Sequence, residues 1–234
     1  MEDRYDLRLA AAYVRGMAAA DGLNVPEALL EAPLDSLADA DCARLAEIGR
    51  AAELKMYYFK LKEPLPRVKK TLGLLKAVQP ESLLDVGSGR GVFLFPFLRE
   101  FPWVEVTSLD LLPRRVELMN ALRSGGVETL NALCRDICDW DAPAGSFDVV
   151  TLLEVLEHIP DVAAAVRAAV RLARRYVIVT VPSRPDDNPE HIHLLTKEKL
   201  TEMFGAAGCT KLQFDGVNGH LFMAARIDGG EARP

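Results

Sequence analysis

Residues 83–91 read LLDVGSGRG. Leucines and a valine around one aspartate make a short apolar run of the kind that fills a buried strand. Three glycines at alternate positions, Gly87, Gly89 and Gly91, follow directly. Glycine lets the backbone turn tightly and approach a ligand closely, and a turn that opens a helix aims bare N–H groups at that ligand. The next stretch, RGVFLFPFLREF, reads as a helix with a bend expected at Pro96. A strand, a glycine turn and a helix open a nucleotide-binding type of α/β unit. A dinucleotide loop, G-x-G-x-x-G, needs glycine at position 92. Val92 stands there, and the spacing is D-x-G-x-G-x-G.

Outward from this loop the same alternation continues. VEVTSLD, TLNALCRD, FDVVTLLE and YVIVTVP read as strands. FDVVTLLE is apolar on both faces, as a central parallel strand is. PRRVELMNALRSGG, DVAAAVRAAVRLARR and TKEKLTEMFGAAG read as helices. The last two strands, TKLQFDG and HLFMAARI, meet at a DGVNG turn with no helix between them, which implies one antiparallel strand. The fold class is therefore α/β, a Rossmann-like, seven-stranded, mostly parallel sheet. Residues 1–78 read as a helical extension: LRLAAAYVRGMAAA, then DCARLAEIGRAAELKMYYFKLK as one longer helix, then a third helix from Pro66 to Val78. The expected division is a helical cap at 1–78, a sheet domain at 79–227 and a disordered tail, DGGEARP, at 228–234.

The chain has 234 residues, half of them hydrophobic, and a net charge of −6. This is a folded chain of one main domain, and its overall charge gives no case for nucleic acid or a membrane surface. No apolar run reaches the length of a membrane span, and the opening MEDRYDLRLA lacks the apolar core of a signal peptide. Cys42, Cys134, Cys138 and Cys209 follow neither a C-x-x-C nor a disulfide-framework spacing. They read as reduced cysteines of a cytoplasmic protein.

The glycine loop resembles motif I of the class I S-adenosylmethionine (SAM)-dependent methyltransferases, and the resemblance extends over about residues 70–226. It implies SAM as cofactor, with Gly87, Ser88, Gly89 and Gly91 around its methionine part and Asp85 ordering the loop. Asp110 ends the second strand, 25 positions after Asp85. An acid at about 20 residues beyond such a loop commonly accepts from ribose hydroxyls, and its two oxygens suit two hydroxyl donors. The resemblance gives Asp110 that role, with Leu111 or Leu112 against the adenine. It places Asp136 at the adenine amino group and Ile137 on the ring face, with Asp139 as a competitor for the acid's role.

TLLEVLEHIPD, residues 151–161, resembles the family's motif IV. On a helical turn, Glu154, Glu157 and His158 at i, i+3 and i+4 would share one face. Three readings stay open. Glu157 and His158 hydrogen-bond structurally and line the site; or His158 is a general base oriented by a glutamate; or the trio holds a divalent metal that lowers the pKa of a substrate hydroxyl. The turn is similar to that of ubiquinone-biosynthesis O-methyltransferases. It is also similar to that of Hen1-type RNA methyltransferases, which implies a metal held by Glu154, Glu157 and His158 with a further histidine. His191 and His193 supply that histidine, and in an extended segment both would point the same way. The ion would be Mg²⁺, Mn²⁺ or Zn²⁺. Residues 182–195 form a long loop with no clear element, expected to border the substrate site.

Residues 53–76 carry seven basic side chains against two acidic ones, with Met56, Tyr57, Tyr58 and Phe59 among them. A solvated basic helix face and a surface for stacking and phosphate contact both fit that composition. The favoured expectation is an enzyme that methylates a hydroxyl of a small molecule. LEVLEH departs from the Asn/Asp-Pro-Pro-Tyr sequence common in nitrogen methyltransferases of this fold. RNA ribose 2′-O-methylation and a non-catalytic SAM-binding role are the alternatives. The expectation includes no membrane partner, and the sequence does not specify an oligomeric state.

Overall fold

The computed structural model describes residues 5–185 and 187–227, and the expected tail at 228–234 lies outside the described residues. Four helices come first: α1 (Leu7–Asp21), α2 (Glu27–Glu31), α3 (Asp39–Ala51) and α4 (Pro66–Val78). Then come β1 (Ser82–Val86), α5 (Leu94–Glu100), β2 (Glu105–Asp110), α6 (Pro113–Ser124) and β3 (Leu130–Cys134). The second half holds β4 (Phe147–Leu153), α7 (Val162–Leu172), β5 (Ala173–Pro182), α8 (Lys197–Ala206), β6 (Lys211–Val217) and β7 (His220–Arg226). The strands form one sheet in the order β3-β2-β1-β4-β5-β7-β6. β1 to β5 run parallel, and β7 lies antiparallel to both β5 and β6. This is the mostly parallel seven-stranded sheet that the pattern implied. The order reverses between β1 and β4, so the ends of these strands open the crevice where such sheets bind ligands.

The sheet sorts its side chains with a period of two. Leu83, Val149, Ile178 and Phe222 join a hydrophobic cluster on one face, while Leu84, Val150, Val177 and Met223 join the cluster on the other. The first cluster continues through α4, α5 and α6 into α1 and α3, and the second takes in α7 and α8. α1 packs very close to α6. A Cβ on Gly16 would lie 1.9 Å from the Ala121 carbonyl oxygen, and one on Gly125 would lie 1.7 Å from that of Ala12. Only glycine permits that backbone approach. No helix among the described residues is long and apolar enough to cross a membrane.

Two sequence expectations change. The long helix expected through Lys62 stops at Ala51. Glu53 turns left-handed (φ 57) and Leu54 N–H bonds back to Gly49 O at 2.9 Å, a Schellman-type termination. The chain then makes a 3₁₀ turn, Met56–Phe59, that buries Met56 and Phe59 in the core. Burial of these two side chains overrides the helical pattern, because a continued helix would carry them past the core. Pro96 does not bend a helix either. α5 starts at Leu94, so Pro96 sits in the first turn, where a missing N–H costs nothing.

Candidate functional site

β1 delivers the glycine loop to the crevice. Gly87 N–H bonds to Leu109 O at 2.7 Å, which ties the loop to the neighbouring strand. Gly87 has φ 68, and a Cβ there would lie 2.6 Å from Val155 Cγ2; Gly91 has φ 79, and a Cβ there would meet the Phe95 ring at 2.5 Å. Both positions therefore require glycine twice over, by conformation and by space. Beneath the loop lies Asp85, 3 % exposed. Its Oδ1 accepts from Thr151 Oγ1 at 2.8 Å, while Oδ2 is buried without a hydrogen-bond partner. Burial pushes its carboxyl up to about 6; the nearby Ser88 and Thr151 hydroxyls oppose the rise, and the Asp110 charge adds to it. A buried oxygen with no donor is a defect unless something supplies one.

Asp110, at the end of β2, accepts from Gly89 N–H at 3.0 Å and Leu112 N–H at 2.9 Å, and pairs with Arg115 at 3.5 Å. These contacts fix the carboxylate beside the loop. A cavity of about 420 Å³ lies over β1, β2 and β3, lined by Asp110, Leu111, Leu112, Asp136, Ile137, Glu154, His158 and Glu190, among others. A smaller one, about 200 Å³, lies over the loop against Asp85, Gly87, Ser88, Gly89, Arg67 and Glu154. Gly87, Arg115 and Glu154 line both, so the two cavities meet there. Gly91 lines neither and acts through its turn. Asp136 Oδ1 accepts from Cys138 N–H at 2.9 Å, which holds the acid at the cavity wall. Asp139 is outside both linings.

The Glu154–His158 stretch is not a shared helical face. Glu154 is left-handed (φ 59), and only residues 156–158 form a 3₁₀ turn. A left-handed non-glycine residue is uncommon and stores strain at the site it serves. The kink sends the Glu154 carboxylate away from the other two. Oε1 accepts from Thr180 Oγ1 at 2.8 Å and lies 3.9 Å from Arg67 Nε, and Oε2 lies 2.9 Å from His220 Nε2. Glu157 is fully buried, outside the linings of both cavities. His158 Nδ1 lies 2.9 Å from Glu190 O. A carbonyl only accepts, so this nitrogen carries a hydrogen and the neutral ring keeps its lone pair on Nε2.

Ligand atoms of Glu157, His158 and His191 all lie within 4.8 Å of one another. The structure thus gathers three of the five residues considered for a metal. Glu154 is engaged elsewhere, and His193 Nε2 lies 3.3 Å from Pro160 O. His191 and His193 do not project together because the loop is not extended. Asn188 bonds to Glu190 N–H through its side chain (3.0 Å) and to His191 N–H through its carbonyl (3.0 Å), turning the chain just before them. Glu190 of this loop lines the larger cavity.

Arg67, Thr180 and His220 went unrecognised in the sequence as site residues. Arg67 was one charge in a basic run. His220 reaches Glu154 because β7 pairs antiparallel with β5, with Pro182 opposite His220. That register follows from the DGVNG hairpin and was the one signal that could have found it.

A family model described as a methyltransferase domain matches residues 57–213. A ubiquinone biosynthesis O-methyltransferase of Albidiferax ferrireducens is 33% identical over 151 residues, covering 61% of this chain and 58% of that protein. The chain thus spans less than two thirds of that relative's length. Among solved structures, a magnesium protoporphyrin IX methyltransferase from Synechocystis with bound SAH superposes with a TM-score of 0.53 at 15% identity, over 69% of this chain and 81% of that one. The cyclase SpnF superposes with a TM-score of 0.58 at 16% identity, over 68% of this chain and 80% of that one. At these identities the two structures show a shared fold.

Proposed function

The chain belongs to the class I SAM-dependent methyltransferase superfamily, and from that membership we propose that it transfers the methyl group of SAM to a hydroxyl of a small molecule. The observation that carries this is the pair of cavities meeting at Glu154. The larger offers two acids, Asp110 for the ribose and Asp136 for the adenine, with Leu111 and Ile137 as apolar walls. The smaller offers two groups suited to an amino acid zwitterion. Asp85 Oδ2 is a buried acceptor in need of a donor, which an α-ammonium supplies, and the Arg67 guanidinium suits an α-carboxylate. Adenosine in one cavity and the methionine part in the other put the sulfonium at their junction, beside Glu154.

Little covalent help is needed for methyl transfer to an oxygen. The acceptor oxygen attacks the methyl carbon in line while the carbon–sulfur bond breaks, and positioning lowers much of the barrier. The Glu154 carboxylate, held by Thr180 and His220, lines both cavities and takes the acceptor's hydroxyl proton as the oxygen–carbon bond forms. His158 lines the larger cavity, and Glu157 lies buried beside it, outside both linings. The relative named a ubiquinone biosynthesis O-methyltransferase supports oxygen as the acceptor atom. The helices within 1–78 act, on this reading, as a cap on the acceptor side. The four cysteines form no disulfide, which supports the cytoplasm as compartment.

A divalent ion fits Glu157, His158 and His191, where one carboxylate and two imidazoles converge and the Glu190 carbonyl orients one ring. Bound there, it would supply Lewis-acid charge at the edge of the larger cavity. The two imidazoles in the donor set favour zinc over magnesium or manganese.

Calorimetry with SAM, S-adenosylhomocysteine and NAD, followed by SAM turnover on a panel of hydroxyl compounds, tests the proposal. Tight NAD binding or failure to bind SAM overturns it; SAM binding without turnover on any hydroxyl moves the reading to a non-catalytic binder. Full turnover in a chelator, with no metal in the purified protein, removes the ion.

A further inference from the structure

Beside the smaller cofactor cavity, and outside the groups assigned to SAM, lies a third cavity of about 420 Å³. Its walls are the segment after α3 and the start of α5. The buried Met56 and Phe59 pin that segment, so the tyrosines between them are held at the cavity. Tyr57 is 53% exposed, with its ring centroid 4.4 Å from that of Tyr58. Arg90 and Val92, both from the glycine-loop region, line this cavity and the smaller cofactor cavity alike. The two spaces therefore adjoin across these residues.

The charge in this cavity is one-sided. Its two acids are both occupied, Asp6 by Arg99 and Glu63 by Lys69. Lys62 and Arg90 make no ion pair among the described residues, and they leave positive charge on a chain whose net charge is −6. Leu61, Leu65 and Val92 add exposed apolar surface beside these cations. An exposed aromatic ring beside a guanidinium stacks a flat ring and pairs with its anionic substituent.

We infer that this cavity recognises the methyl acceptor, and that the acceptor is a small aromatic molecule carrying a phosphate or carboxylate group. Arg90 and Lys62 hold the anion and Tyr57 stacks on the ring, so that the hydroxyl end extends past Val92 into the adjoining cofactor cavity, toward Glu154. The inference rests on the methyltransferase reading of the neighbouring cavities. It narrows the substrate from any hydroxyl compound to an anionic phenol or a similar aromatic alcohol.

The 234-residue chain saturated with S-adenosylhomocysteine is titrated with phenyl phosphate, benzoate and phenol at one ionic strength, followed by protein NMR. At least one anion is expected to bind about tenfold or more tightly than phenol, the ratio a charge-assisted contact gives. The stronger of the two identifies the anion. Arg90→Gln removes that preference, and Tyr57→Ala weakens all three probes while leaving S-adenosylhomocysteine affinity within about twofold. Equal affinity for the three probes, or a preference that survives in both variants, overturns the site. An RNA oligonucleotide that binds through Arg90 and Tyr57 where phenyl phosphate does not overturns the small-molecule class. Loss of S-adenosylhomocysteine binding in the parent protein overturns the methyltransferase reading instead, and the acceptor role with it.

Discussion

Cofactor affinity should depend on pH through Asp85. Burial raises its carboxyl from 3.8 to about 6. A carboxyl raised on folding makes the folded state relatively more stable at low pH, and that advantage is lost as pH rises through about 6. At neutral pH the ionised, half-satisfied carboxylate costs the ligand-free fold about 3 kcal/mol. An ammonium against Oδ2 reverses that cost, so the cofactor selects ionised Asp85. About one molecule in eleven has Asp85 ionised at pH 5, so the Kd for S-adenosylhomocysteine should rise about tenfold, or 1.4 kcal/mol, between pH 7 and 5. The ligand's own α-ammonium and α-carboxylate stay ionised across that window. Calorimetry at constant ionic strength reads the effect directly. Asp85→Asn should bind more weakly at pH 7, lose the slope, and raise the thermal stability of the ligand-free protein. A parent Kd that stays flat from pH 5 to 8, or a slope that survives in Asp85→Asn, refutes the account.

Other consequences are open to direct measurement. Asp110→Ala removes the carboxylate that holds Gly89 and Leu112 N–H and would receive the ribose, so S-adenosylhomocysteine affinity should fall by about tenfold or more in calorimetry. Glu154→Gln keeps the Thr180 contact but loses the charge; turnover should fall by about 10²-fold while cofactor affinity changes little, and a parallel loss of both would make Glu154 a cofactor ligand instead. Gly16→Ala forces a methyl into the Ala121 carbonyl and should destabilise by about 1–3 kcal/mol, a fall of roughly 2–4 °C in Tm per kcal/mol, whereas Gly73→Ala, where a Cβ meets nothing within 4 Å, should not destabilise.

Those parts of the molecule that depend on local chemistry were legible. The glycine loop, Asp110 at the end of β2, Pro66 at the first turn of α4 and the antiparallel finish all follow from composition and spacing within short stretches. The site's finer geometry was not, because it is set by contacts between distant segments. Glu154 leaves the helical face expected for it because Thr180 and His220, on neighbouring strands, draw its carboxylate across the crevice. α3 stops early because Met56 and Phe59 bury themselves. His191 parts from His193 because a side-chain amide at Asn188 turns a loop that carries no periodic pattern.

The close seat of α1 on α6 also bears on how the chain matures. α1 meets α3 within a few dozen residues, but the surface around Gly16 waits for Ala121, more than a hundred positions later. At about 5–20 residues per second of synthesis, that surface stays uncovered for roughly 5–20 s. Docking of α6 covers that surface, and the same event brings Asp110, just upstream of α6, to the mouth of the crevice.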